Sequence, residues 1–403
     1  MWKNVVAAPA DAILGLTEAY RNDPNPRKVN LGVGVYKDER GETPIPQCVG
    51  EAERRLLEVE RTKSYLPIGG TREYASHVRG LLFGEESETA LSGRSVTLHA
   101  PGGTGALRIG ATLLKRFLPE AKLWVSSPTW ANHKGVFSAA GFEIGDYPYY
   151  DASSHGVDFA GMTDVLESVP AGDVVLLHAC CHNPTGADLS ADRWEALARL
   201  AREKGWIPFL DFAYQGFGEG IEADRSAVER MAEAGIEFFV ASSFSKNFGL
   251  YNERAGALTI VAENPDRARV AESHAKRVVR VAYSNPPAHG GLIVSTVLGD
   301  ADLRARWVAE VGAMRERIKA MRAALADGLA ARPGNPDFSF VKTQRGMFSF
   351  SGLSDEAVAW LRENRSVYVV KGGRVNVAGL TPENVDYVCD AISDAIADTA
   401  GME

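Results

Sequence analysis

Four places in this chain set a chemically active residue directly after a run of apolar ones. In FFVASSFSKNFGLYNERAG, Phe238–Gly256, a single lysine, Lys246, follows such a run and stands among serine, asparagine and glycine, with Arg254 eight positions on. An amine that ends a buried strand near an arginine loses part of its preference for charge, which makes it a usable nucleophile. In IPFLDFAYQGF, Asp211 sits where the next apolar run leaves the core, and Tyr214 follows three residues later. A carboxylate in that position needs a cationic partner or several donors. In CCHNPTG, Asn183 comes just after Val174–Ala179, and its amide either donates to an anionic oxygen or satisfies a turn. In PGGTGAL, Pro101–Leu107, glycines such as Gly103 admit close backbone approach, while Thr104 and the free N–H groups of a helix start favour an anion. That loop is neither a Walker loop nor GxGxxG, and by itself it reads equally well as a tight turn.

Taken together, the four are complementary. A lysine able to form a covalent bond with an aldehyde, a carboxylate able to keep a ring nitrogen protonated, and a phosphate cradle of Arg254, Ser243 and the glycine loop are what pyridoxal 5'-phosphate requires.

These groups must be held by an open α/β sheet, where ligands bind beyond the carboxyl ends of the strands. The expected strands are Ser95–His99, Leu123–Ser126, Val174–Ala179, Ile207–Leu210, Phe238–Phe244 and Ala257–Val261, with helical runs between them. A helix from about Thr104 to Phe117 follows the glycine loop. Another is expected between a Ser190 cap and Gly205, with Trp194, Leu197, Ala198 and Ala201 on one face. Near-continuous apolar strands alternating with helices predict a mostly parallel sheet covered by helices on both faces. From about Asp302 to Ala331, Trp307, Val311, Met314, Ile318, Met321 and Leu325 form one buried stripe of a long helix. Short strands at Met347–Phe350, Val367–Val370 and Arg374–Val377 then predict a smaller α+β domain built from both termini. The expected division is 1–44 packing with the small domain, 45–305 as the large cofactor-binding domain, and 306–403 as the small domain.

Composition agrees with a large soluble chain: 403 residues, 45% hydrophobic, 24% charged, formal net charge −8. With no block of five basic residues, a nucleic-acid or anionic-membrane partner is not expected. Four cysteines, two of them adjacent, make no disulfide framework and fit a reducing compartment. Cys180-Cys181-His182 lacks a second ligand pair at finger spacing, so no metal is expected. The N-terminus reads as neither a signal peptide nor a membrane helix, which predicts a cytoplasmic protein.

The motifs AAPADAILGL, NLGVGVYKDE, PGGTGALR, SSPTWANH, CCHNPTGADL, FLDFAYQGFG, SSFSKNFGLYNERAG, YSNPPAHG, RGMFSFSGL and GRVNVAG, in this order over nearly the whole chain, resemble the aspartate aminotransferase family. Its members are fold type I pyridoxal-phosphate enzymes, and the likeness is to the aspartate and aromatic branch. The resemblance implies that Lys246 bonds the cofactor and shuttles the proton, that Asp211 pairs with the ring nitrogen, and that Asn183 and Tyr214 hold the ring oxygen. It implies that Trp130 stacks on the ring and that Gly103, Thr104, Ser243 and Arg254 bind phosphate, joined by Tyr65 of the partner subunit. Arg374, with the Gly34 backbone close by, would hold the substrate α-carboxylate. Arg280 of the partner subunit would clamp the distal carboxylate, so a homodimer with shared sites is expected, acting on small amino and 2-oxo acids. Two arginines suit a dicarboxylate because planar guanidinium pairs with it bidentately. His133 is expected to orient Asp211, while His178 and His182 read as packing or hydrogen-bonded residues. Val35, Lys37, Thr43, Thr104 and Asn285 match the aspartate type, and Pro67 leans toward the aromatic one. Ser64 matches neither, and Lys371-Gly372 departs from the small pair usual near Arg374. The implied reaction moves the amino group of L-aspartate to 2-oxoglutarate, with tyrosine or phenylalanine as the alternative donor.

Overall fold

Apolar runs of strand length must satisfy their backbone groups with one another, and here they do so in a seven-stranded sheet. The computed structural model describes residues 2–7 and 12–400. Its sheet comprises β1 (Ser95–Pro101), β2 (Leu123–Ser127), β3 (Ile144–Pro148), β4 (Val174–His178), β5 (Ile207–Phe212), β6 (Phe238–Ser243) and β7 (Ala255–Val261). The spatial order is β1-β7-β6-β5-β4-β2-β3. All neighbouring pairs from β6 to β3 run parallel, and only β7 is reversed, lying antiparallel to both β1 and β6. The reversal matters for chemistry. It sets the start of β7 beside the ends of its neighbours, with Ala255 opposite Pro101 and Gly256 opposite Ser243, so Arg254 joins the strand ends from the other direction.

Every residue of β4, β6 and β7 is buried, as strands covered on both faces must be. Helix Gly102–Phe117 lies over the sheet, and its Leu107, Ala111 and Leu114 join Phe209, Ala241 and Leu258 in one apolar core. Helix Ala191–Lys204 closes on Gly205 at φ 76°, a left-handed position. Ser190 occupies the expected N-cap of that helix, but its hydroxyl makes no capping hydrogen bond. Trp194, Trp206 and Trp307 all fill core.

The chain divides into two compact units, Pro44–Glu316 and Met1–Thr43 with Arg317–Glu403. The division falls inside helix Ala301–Ala330, later than the 305/306 boundary expected from sequence. In the second unit, Val29–Asn30 pairs parallel with Val367–Tyr368, and Phe348–Phe350 pairs antiparallel with Arg374–Asn376.

The long helix carries one correction. Trp307, Val311, Met314, Ile318 and Leu325 are buried as the stripe predicts, but Met321 is half-exposed and Arg322 faces inward at 2% exposure. At 3.6 residues per turn, positions 321 and 322 flank the stripe almost equally. Arg322 takes the inner place because the carbonyls of Val341, Gly346 and Phe348 accept from its guanidinium. Among the described residues no helix is long and apolar enough to cross a membrane. Residues 8–11 of the AAPADAILGL motif lie outside the described residues.

Candidate active site

Most of the residues singled out in the sequence stand at one edge of the sheet. Lys246, just past β6, is half-buried, and its Nζ lies 4.7 Å from the centroid of the Tyr214 ring. Burial lowers its pKa from 10.5 to about 8, opposed by the charge of Asp211 and reinforced by that of Arg254. With that value about one amine in ten is neutral at pH 7, far more than for an ordinary lysine.

Asp211, buried and next to last in β5, lies opposite His178 of β4. Its Oδ2 lies 2.8 Å from Nε2 of His133, whose Nδ1 lies 2.9 Å from Oγ1 of Thr129. An imidazole protonated on Nε2 satisfies both contacts, donating to the carboxylate and accepting from the threonine. Burial alone would raise the Asp211 carboxyl, yet the hydrogen bond and charge from His133, with His178 and Lys246, leave it below the ordinary carboxylate value. The group is an anion at a buried strand end. Trp130 precedes helix Ala131–Ser138 and meets His133 edge-on at 5.2 Å between ring centroids. Asn183, buried, sits just beyond β4, where the sequence places it.

The anion cradle is built by contact between the glycine loop and Arg254. Gly102 opens the 16-residue helix Gly102–Phe117 with φ +72°, and a Cβ there would fall 2.4 Å from Nη2 of Arg254. Only glycine allows both that backbone angle and that approach. At Gly103 a Cβ would stand 3.1 Å from Cβ of Ser243, and Thr104 follows half-buried in the first turn. Arg254 itself adopts φ 56°, exposed, with Nη1 donating to the Tyr251 carbonyl at 2.9 Å. Free helix N–H groups, a hydroxyl and a guanidinium thus converge where an anion gains most.

Two expected residues lie in the other unit. Arg374, 5% exposed, donates through Nη2 to the Gly32 carbonyl at 2.6 Å, and its guanidinium carbon lies 4.3 Å from the centroid of the Phe348 ring. Gly34 packs on the same ring, where a Cβ would come 2.8 Å from Cζ of Phe348. Lys371, the departure near Arg374, is turned outward to Asp355 at 3.2 Å. Tyr65 and Arg280 are not drawn into the cluster. The tyrosine is 91% exposed, and Arg280, on the surface end of helix Pro265–Ala282, bonds the Ser284 hydroxyl.

Supporting groups surround the site: His182 is hydrogen-bonded as expected from sequence, while Asp188 and Asp224 carry no single-sequence signal. His182 bonds Ser126 and Thr185 and stacks on Tyr149 at 3.9 Å, all buried, behind His178. Asp188 accepts the N–H groups of Cys181 and His182, fixing the turn that presents Asn183. Cys180, Cys181 and Asp224 place ligand-type atoms within 4.8 Å of one another, as do His133, His178 and Asp211. Asp224 accepts the N–H groups of Gly216, Gly218 and Glu219, which makes it a loop clasp.

The comparisons with known proteins agree with this geometry. The family aminotransferase class I and II matches residues 26–392. The aspartate aminotransferase of Salmonella typhi is 51% identical, covering 97% of this chain and 99% of its own length. The aromatic-amino-acid aminotransferase of Pseudomonas aeruginosa is 46% identical over 98% of both. The crystal structure of the aromatic-amino-acid aminotransferase from Burkholderia pseudomallei, covalently bound to pyridoxal phosphate, superposes with TM-score 0.96 at 49% identity, covering 98% of this chain and 99% of that one. Fold and site define an aminotransferase of class I and II. The chain belongs to the aspartate aminotransferase family.

Proposed function

We propose that the protein transfers the amino group of L-aspartate to 2-oxoglutarate, giving oxaloacetate and L-glutamate, with pyridoxal 5'-phosphate held at Lys246. The observation that carries this reading is the shared strand-end position of a lysine of pKa about 8, an anionic Asp211 and the Gly102–Arg254 cradle. The residues fit the cofactor on steric ground as well, since a side chain at position 102 would fill the cradle. When bound, pyridoxal phosphate supplies an electron sink that eases loss of the proton on the substrate carbon.

The chain's own residues then divide the work. Arg254, Ser243, Thr104 and the Gly103 backbone hold the phosphate. Asp211, kept anionic and oriented by His133, holds the proton of the ring nitrogen. Asn183 and Tyr214 hold the ring oxygen, and Trp130 covers the ring face. Lys246, neutral for part of each cycle, takes a proton from the substrate carbon and returns it. Arg374 grips the α-carboxylate beside the Gly34 backbone. Arg280 of the partner subunit pairs with the distal carboxylate, and Tyr65 of the partner subunit adds to the phosphate contacts, which makes the enzyme a homodimer. Four buried cysteines, none in a disulfide, support a reducing, cytoplasmic setting.

The test is spectroscopic. Adding L-aspartate alone to the purified holoenzyme should remove the cofactor's visible absorbance, and 2-oxoglutarate should restore it. An unchanged spectrum with every dicarboxylic amino acid would refute the proposal; carbon dioxide or ammonia released without an oxo-acid acceptor would point to lyase chemistry instead. A second reading, transfer from tyrosine or phenylalanine, is favoured by the 46–49% identity to aromatic enzymes and by Pro67. A panel of aspartate, tyrosine and phenylalanine decides the ratio.

A further inference from the structure

We infer that Phe348 is a positioning residue for substrate carboxylate binding, forming the floor beneath Arg374, and that the buried Arg322 holds that floor in place. This rests on the reading of Arg374 as the α-carboxylate ligand and adds two side chains to it.

Strand Phe348–Phe350 pairs antiparallel with Arg374–Asn376, with Phe348 opposite Asn376 and Phe350 opposite Arg374. Phe348 and Arg374 are therefore diagonal neighbours on one face, a separation aromatic and long side chains span. The Arg374 guanidinium carbon lies 4.3 Å from the ring centroid, inside the range where the negative face of an aromatic attracts a cation. One corner of the guanidinium is tied to the Gly32 carbonyl at 2.6 Å. Ring and carbonyl together fix the place of the guanidinium.

The ring cannot slide away from this place on either side. Gly34 has no left-handed φ to explain its type; the explanation is room, because a Cβ would stand 2.8 Å from Cζ of Phe348. On the backbone side, Arg322 donates to the carbonyls of Gly346 at 2.8 Å and Phe348 at 2.6 Å, and also bonds the Ser349 hydroxyl. A guanidinium 2% exposed is tolerated only when such acceptors surround it, and removing it would strand those carbonyls in turn. An interior arginine in place of Met321 thus binds the residues on both sides of Phe348 to the long helix.

The test uses the holoenzyme with L-aspartate and separates KM from kcat. Phe348→Leu keeps an apolar filling but removes the aromatic face; KM should rise about tenfold with kcat little changed, the pattern of lost uniform binding. Replacing Phe348 by 3,5-difluorophenylalanine weakens the ring face while leaving Cζ unsubstituted, and KM should rise about threefold with no change in melting temperature. A merely structural role would not respond to fluorination. Arg322→Lys, which keeps the charge but loses the fork, should raise KM in the same sense; if it does not fold, the two ring variants decide alone. Arg374→Ala serves as control and should raise KM about a hundredfold or more. If Arg374→Ala raises KM and both ring variants leave it unchanged, the inference is overturned while the Arg374 reading stands. If Arg374→Ala also leaves KM unchanged, both fall.

Discussion

The strand-end cluster and the two residues proposed to act across a dimer, Tyr65 and Arg280, lie in opposite surroundings. At the strand ends, Asp211 is fixed by His133, His133 by Thr129, and Arg254 by the Tyr251 carbonyl and the Ser245 hydroxyl. Tyr65 and Arg280 lie on the surface, and so do Val281, next to Arg280 in the chain, at 90% exposure and Leu57 at 80%. The difference fits the proposal that one set is completed by this chain's own fold and the other by a second copy.

The sharpest way to break that comparison is to remove a member of each set. Lys246→Ala should lower kcat by about 10⁴-fold or more, since it removes the amine that moves the proton. Arg280→Ala should lower kcat/KM for aspartate by about 10²–10³-fold while affecting phenylalanine far less, because the lost pair is a bidentate one to a distal carboxylate. Mixing the two inactive variants under subunit exchange should then restore activity. A mixed dimer holds one site with an intact Lys246 and the arginine of the other subunit. Absence of any recovery, with mixed dimers demonstrated, would remove the shared-site half of the comparison. A smaller effect is expected within the internal set: His133→Ala should reduce kcat about tenfold, and more steeply at low pH. With the His133 contribution gone, burial would raise the Asp211 carboxyl and make it easier to protonate. An unshifted acid limb in the pH profile would show that His133 does not tune Asp211.

The internal set was legible in the sequence because parallel strands carry their ligands at their ends, so an apolar run followed by a polar residue is a position as well as a composition. Lys246, Asp211, Asn183 and the glycine loop all followed that rule. The reversed β7 did not show, since Ala255–Val261 is as apolar as its parallel neighbours and direction leaves no mark on composition. Arg322 was hidden for a related reason. A helical stripe assigns its inner places by hydrophobicity, and here an arginine displaced Met321 because carbonyls from distant residues were waiting for it. Gly34 and Phe348 are far apart in the chain, so their contact has no local signal at all. Tyr65 and Arg280 gained roles only from family resemblance; periodicity alone would have made both solvated surface.

The smallest expected effect tests whether the internal set is strained for its work. Lys246 has its pKa lowered from 10.5 to about 8, so at pH 7 the folded chain without cofactor carries a charge its surroundings oppose. Lys246→Met should therefore stabilise the cofactor-free protein at pH 7, by about 1–2 kcal/mol once partial exposure is allowed for. The sign with pH follows from proton counting. Between about pH 8 and 10.5 the unfolded chain holds a proton on this lysine that the folded chain has released, so wild-type stability gains relative to the variant as pH rises through that window. Urea unfolding of both cofactor-free proteins at pH 7 and pH 10 should show the midpoint gap narrowing. A gap of constant size would mean that methionine merely packs better, and a wild type more stable at pH 7 would mean that Asp211 holds the ammonium more strongly than burial opposes it.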